Sequence, residues 1–176
     1  MIIIDNYIID KIRDNDALGI CELMNNNALR FQRFFPKTLA QNLTFEDSKK
    51  FALLKSEEHD SIAEFTFVLK DKDSTKVVGL IILKELNWTT KQGEFAYCID
   101  SKHEGKGLTT KAVKFLSQFA IDKLGLKILQ IVVHENNNGS IKVAENCGYI
   151  WQKTLINEYT PPNESSLDME LYELRK

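Results

Sequence analysis

Between residues 93 and 120 the spacing of apolar residues changes, and that change commits the chain to a mixed α/β fold. Phe95, Tyr97 and Ile99 alternate with more polar neighbours, the period of a strand. Leu108, Ala112, Phe115, Leu116, Phe119 and Ala120 then form one helical stripe, with Thr109, Lys111, Lys114 and Lys123 facing away. Strand-like segments recur on both sides of this switch. Tyr7 to Ile12 reads as a first strand, Ala63 to Leu69 alternates, and Val77 to Leu83 and Ile128 to Val133 read as buried strands. Tyr149 to Ile156 and a segment carrying Leu167, Met169 and Leu171 complete the set. Helices are expected from Ala17 to the Asn25-Asn26-Asn27 stop, from the Thr44 cap through about Glu58, and from Ser140 to Asn146, with a short helix or turn over Ala28 to Pro36. The expectation is one domain over residues 1–176, built on a sheet of about seven strands with helices on both faces.

Composition narrows the function. The chain has 176 residues, enough for a core without disulfide or metal staples. Lys and Arg total 23 against 25 Asp and Glu, a net charge of -2. Gripping a nucleic-acid backbone by bulk charge needs a basic excess, so no nucleic-acid partner is expected, and any bound anion must be held by local geometry. Cys21, Cys98 and Cys147 are far apart and form no CxxC pair, which reads as reduced thiols and no metal site. The start Met-Ile-Ile-Ile-Asp lacks the basic region of a secretory signal, and the apolar run Val77 to Leu83 is far too short to span a bilayer. A cytoplasmic protein with no membrane partner is expected.

The segment at the switch is Lys102-His103-Glu104-Gly105-Lys106-Gly107-Leu108-Thr109-Thr110. Backbone N–H groups at a helix N-terminus have no intrahelical acceptors and sit at the positive end of the helix dipole, so they attract phosphate. Gly105 can adopt positive φ and turn successive amides inward, and Gly107 removes the Cβ from the path of a phosphate. Lys102, Lys106 and the two threonine hydroxyls add charge and donors. A dinucleotide fingerprint wants a third small residue where Thr110 stands, and a Walker loop wants Ser or Thr after the lysine, so neither fits. The bland alternative is a strand-to-helix turn shaped by two glycines.

The loop gains context from the chain downstream: a buried strand, Asn136-Asn137-Asn138-Gly139-Ser140, a short helix, and Cys147-Gly148-Tyr149. In this order the sequence resembles the GNAT acetyltransferases, and within them the ribosomal-protein N-acetyltransferase-like (Rim-type) branch. The family loop Gln/Arg-x-x-Gly-x-Gly/Ala is matched by Lys102-x-x-Gly105-x-Gly107, with Lys in place of the usual Gln or Arg. Asn137-x-x-Ser140 and Gly148-Tyr149 match the branch's Asn-x-x-Ser and Gly-Phe. Glu94 to Tyr97 looks like the strand before the loop, and Arg33 to Pro36 with Thr44 to Asp47 like the branch's N-terminal helices.

The resemblance implies a GNAT fold with a mostly antiparallel sheet and transfer of acetyl from acetyl-CoA, as co-substrate, to a primary amine by direct attack. It points to the N-terminal α-amine of a protein such as a ribosomal protein. Polyamine, amino-acid or antibiotic acetylation, or a non-catalytic CoA-binding module, are the alternatives, and a monomer or homodimer is expected. It implies that Lys102, His103, Gly105, Lys106, Gly107, Leu108, Thr109 and Thr110 hold the pyrophosphate, with pantetheine between splayed strands at Glu94–Ile99 and Ile128–His134. A backbone N–H near Cys98 or Ile99 would polarise the thioester carbonyl, and Asn137 would hold the cofactor and its turn. Ser140 is the implied donor to the CoA sulfur and Glu158, in Glu158-Tyr159, the implied base. Each has a plainer alternative: Ser140 as a helix N-cap, Asn137 as a turn former, Glu158 as a solvated strand-end carboxylate. Cys147 fits a small core residue better than an acyl-enzyme nucleophile, and His103 and His134 lack acidic partners at metal spacing.

Overall fold

The structure is a computed structural model that describes residues 1–176. In chain order its elements are β1 (Ile2–Ile4), β2 (Tyr7–Lys11), α1 (Ala17–Asn26), α2 (Ala28–Phe31), α3 (Pro36–Ala40), α4 (Phe45–Asp60), β3 (Phe65–Asp71), β4 (Val77–Asn87) and β5 (Gln92–Ile99). Then come α5 (Leu108–Asp122), β6 (Ile128–Val133), α6 (Asn138–Asn146), β7 (Ile150–Tyr159) and β8 (Leu167–Arg175). The strands run in the order β1-β2-β3-β4-β5-β6-β8-β7 in an eight-stranded, mostly antiparallel sheet. The count exceeds the expected seven because Ile2–Ile4, too short to show alternation, pairs with β2 through a tight turn at Asp5, whose φ is +51°. By its contacts the chain divides into two compact units, Met1–Ile82 with Tyr97–Lys106, and Leu83–Ala96 with Gly107–Lys176.

In the first unit β2 pairs antiparallel with both β1 and β3. Helix α1 buries Ile20, Leu23 and Met24, and α4 buries Phe51 and Ala52. These side chains meet Val68 of β3 and Leu80 of β4 in one apolar cluster. Each large apolar side chain sealed this way contributes about 2 kcal/mol. The Thr44 cap forms as expected: its hydroxyl accepts the Asp47 N–H at 3.1 Å. Asp16, buried at the start of α1, pairs with Lys70 of β3 at 2.5 Å, so its charge is compensated where it is desolvated.

In the second unit β5 and β6 are parallel, whereas β8 pairs antiparallel with both β6 and β7. Helix α5 buries Leu108, Ala112, Leu116 and Ala120 of the stripe read from the sequence, whereas Phe115 of that stripe is 40% exposed, and the helix packs against α6. Its Ser117 hydroxyl lies 2.8 Å from the buried Tyr149 hydroxyl. Gln92 donates to Gln130 at 2.8 Å and Gln130 to Glu173 at 2.7 Å, a polar line that ties β5, β6 and β8 together. The β5–β6 register runs from Gln92↔Ile128 to Glu94↔Gln130, while β6 continues to Val133 paired with β8 on its other side. Past Glu94, Phe95 and Ala96 have no β6 partner in that register.

Candidate functional site

The glycine loop is built by three local devices. The Asp100 carboxylate accepts the Lys102 N–H at 3.1 Å and closes a single 3-10 turn over Ser101–His103. Gly105 and Gly107 then both take left-handed backbone, at φ +70° and +71°. Gly107 is also the N-cap of α5, so the cap position carries no side-chain acceptor for the helix's first amides. The N–H groups of Leu108, Thr109 and Thr110 belong to the first turn, which has no intrahelical acceptors to offer them. A Cβ built on either glycine meets nothing within 4 Å. Conformation, not crowding, therefore demands glycine, and the space above the backbone is open.

Upstream of the loop, the first unit fixes the segment from residue 98 to residue 104. The Cys98 side chain is buried in the apolar cluster, and burial pushes its thiol up to about 12. The Ile99 carbonyl accepts from Arg30 Nη1 at 3.3 Å. The Ser101 N–H donates to Asn27 Oδ1 at 3.1 Å, and Arg30 pairs with Glu104. His103 Nδ1 lies 3.0 Å from the Tyr7 hydroxyl, with the rings edge to face. His103 is half-buried, and its ring is occupied by a phenol. Asn27, Arg30 and Tyr7 carry no local sequence signal for this role, because their partners lie 69 to 96 residues away.

In the second unit, Asn137 and Ser140 occupy the start of α6. Asn137 is the N-cap: its Oδ1 accepts the Ser140 N–H at 3.1 Å. Ser140 is therefore inside the first turn, not the cap, and α6 begins at Asn138 rather than Ser140. A short polar run with several Asx and Ser candidates hides which one caps. Cys147, at the C-terminal end of α6, is buried, donates to the Thr110 carbonyl at 3.3 Å, and has its thiol pushed up to about 11 by burial. His134 Nδ1 accepts the Asn136 N–H at 3.2 Å.

Glu158 sits in β7 where the pairing with β8 is irregular, between Leu155 and Tyr159. Asn157 has φ +55° and donates its N–H to Asp168 at 2.8 Å, which turns the chain locally and leaves the Glu158 side chain exposed. Burial, with the negative charge of Glu164, raises the neighbouring Tyr159 hydroxyl above its ordinary value.

The family model for the acetyltransferase (GNAT) domain matches residues 6–150. The chain belongs to the GNAT acetyltransferases. Its match is 28% identical over 101 residues to the spermidine N(1)-acetyltransferase of Vibrio cholerae serotype O1, covering 57% of each chain. It is 27% identical over 146 residues to the enzyme of the same name from Escherichia coli K12, covering 83% of this chain and 74% of that one. The chain thus spans little more than half of the Vibrio relative's length. Its fold matches the ribosomal-protein-S5-alanine acetyltransferase of Vibrio fischeri with a TM-score of 0.92 at 22% identity, over 99% of this chain and 95% of that one. A ribosomal L7/L12 α-N-protein acetyltransferase in complex with coenzyme A matches with a TM-score of 0.89 at 12% identity, over 99% and 96% of the two chains. The proteins it is similar to are thus named for spermidine in two cases and for ribosomal proteins in two others.

Proposed function

We propose that this GNAT protein transfers the acetyl group of acetyl-CoA to a primary amine by direct attack. The observation that carries the proposal is the pair of left-handed glycines, 105 and 107, opening onto the first-turn amides of a helix capped by glycine alone. Those donors, with Lys102, Lys106 and the Thr109 and Thr110 hydroxyls, suit a diphosphate in number and charge. His103, held against Tyr7, flanks the same turn. Acetyl-CoA supplies a thioester whose pantetheine arm carries amides, and the β5 backbone past Glu94, freed from β6, offers a strand edge to meet them.

The step runs without an acyl-enzyme. The amine nitrogen attacks the thioester carbon, a backbone N–H near Cys98 or Ile99 stabilises the oxyanion, and the carbon–sulfur bond breaks. The amine proton leaves to Glu158 through water, and the departing thiolate takes a proton from the Ser140 hydroxyl, which solvent restores. Asn137 holds the turn that aims Ser140. The high thiol of Cys147 supports its exclusion as a nucleophile.

For the acceptor we favour a protein N-terminal α-amine. Its reference pKa of about 7.7–8.0, against about 10.4 for a lysine amine, asks less of a solvated base such as Glu158. Ile150 and Ile156 share β7 with Glu158 and are each 69% exposed, apolar side chains better suited to a polypeptide than to a polycation. A polyamine is the second reading, favoured by the spermidine N(1)-acetyltransferases among the relatives. Free-thiol release from acetyl-CoA, measured with unblocked peptides, spermidine and aminoglycosides in parallel, decides between them. Coenzyme A binding without thiol release in the presence of any of these amines would leave a CoA-binding module.

A further inference from the structure

We infer that Asn27 and Arg30 are positioning residues for the pyrophosphate loop, an inference that rests on the function proposed above. Asn27 stands between α1 and α2 and is 3% exposed. A buried amide is costly unless its donors and acceptors are met, and here they are. Nδ2 donates to the Leu23 carbonyl at 3.0 Å, at the end of α1. Oδ1 accepts twice, from the Ser101 N–H at 3.1 Å and from Arg30 Nη1 at 3.0 Å. One buried side chain thus joins a helix terminus, a cation and the backbone that leads into Gly105.

Arg30 extends the grip. Nη1 also reaches the Ile99 carbonyl at 3.3 Å, and the guanidinium pairs with Glu104, the residue directly before Gly105. Both partners are partly exposed, so the pair adds little to stability. Its placement matters more than its strength. Glu104 is the one acidic residue between Lys102 and Thr110, and a bare carboxylate there would repel a diphosphate. Arg30 neutralises it while tying the loop to the Asn27 amide. A loop held before ligand arrives gives up less conformational freedom on binding.

The experiment is coenzyme A titration by calorimetry, with steady-state kinetics on acetyl-CoA and amine, for wild type, Asn27→Ala, Arg30→Met and Arg30→Met with Glu104→Gln. Losing the buried bonds of Asn27 should raise the coenzyme A Kd about tenfold, with the amine KM little changed. Arg30→Met should also weaken coenzyme A, and adding Glu104→Gln should recover part of that loss. Wild-type affinity in Arg30→Met and in any folded Asn27→Ala, with only the melting temperature lowered, overturns the inference. Should Asn27→Ala fail to fold, Arg30→Met decides, since its side chain is partly exposed. A wild-type chain that binds no coenzyme A removes the proposed function and this inference together. Wild-type binding with unaltered variants removes the inference alone.

Discussion

Asn137 Oδ1 accepts the backbone N–H of Ser140 at 3.1 Å, so one proposed site residue fixes the position of the other. This divides structural from chemical effects. Asn137→Ala removes a helix N-cap and should cost about 1 kcal/mol, read as a lower denaturation midpoint, with reduced turnover. Asn137→Asp keeps an acceptor oxygen and should restore most of the stability. Equal stability in Asn137→Ala and wild type would contradict the capping account.

Ser140→Ala tests the chemistry that the cap supports. Within the first turn of α6, alanine is a good helix former, so stability and coenzyme A affinity should hold. Turnover should fall on the order of a hundredfold if the hydroxyl protonates the leaving thiolate. An unchanged rate removes Ser140 from the mechanism.

Much of this was legible in the sequence, for identifiable reasons. Gly105 announced left-handed backbone because no other residue takes it so cheaply, whereas Gly107, read only as clearing space for a phosphate, takes the same backbone. Leu108 to Ala120 announced α5 because a helix of 15 residues gives several turns of stripe, and Thr44 announced α4 because a hydroxyl before two acids is a capping pattern. Ile2–Ile4 was not legible, since three residues cannot show a period. Nor was the Asn137 cap separable from Ser140, as both are good capping residues a turn apart. The irregular pairing around Glu158 turns on the positive φ of Asn157, which a strand pattern conceals. The Asn27 and Arg30 contacts with the loop depend on tertiary folding alone.

Glu158→Gln replaces the proposed base without changing its size. Turnover should fall on the order of a hundredfold, and the acidic limb of the pH–rate profile should flatten. A profile that superimposes on wild type assigns deprotonation to another group or to bulk water.

The cysteines separate direct attack from a ping-pong route. With the Cys147 thiol near 11, on the order of one molecule in a thousand is thiolate at pH 8. Cys147→Ala should therefore turn over close to wild type, and initial-rate plots should intersect rather than run parallel. Parallel lines together with an inactive Cys147→Ala would establish an acyl-enzyme.

His59 gives the fold a pH dependence. Burial, then the charge of Lys11, lowers its pKa, against the opposing pull of a Thr66 backbone hydrogen bond and Asp60, while its ring packs edge-on against Phe65 and Phe67. Above about 6.5 both folded and unfolded chains hold it neutral, and below that the unfolded chain takes up the proton first. Stability should decline as pH falls through about 6.5, and His59→Leu should reduce that slope in urea midpoints measured at about pH 7.5 and about pH 5.5. Equal slopes would assign the dependence elsewhere.

If main-chain donors around Gly105 and Gly107 cradle a diphosphate, a crystal structure with coenzyme A will show it. Diphosphate oxygens should lie within hydrogen-bond distance of amide nitrogens in residues 105–110, both glycines keeping φ near +70°. Coenzyme A bound with its diphosphate away from that turn, or the turn's N–H groups directed elsewhere, would contradict it.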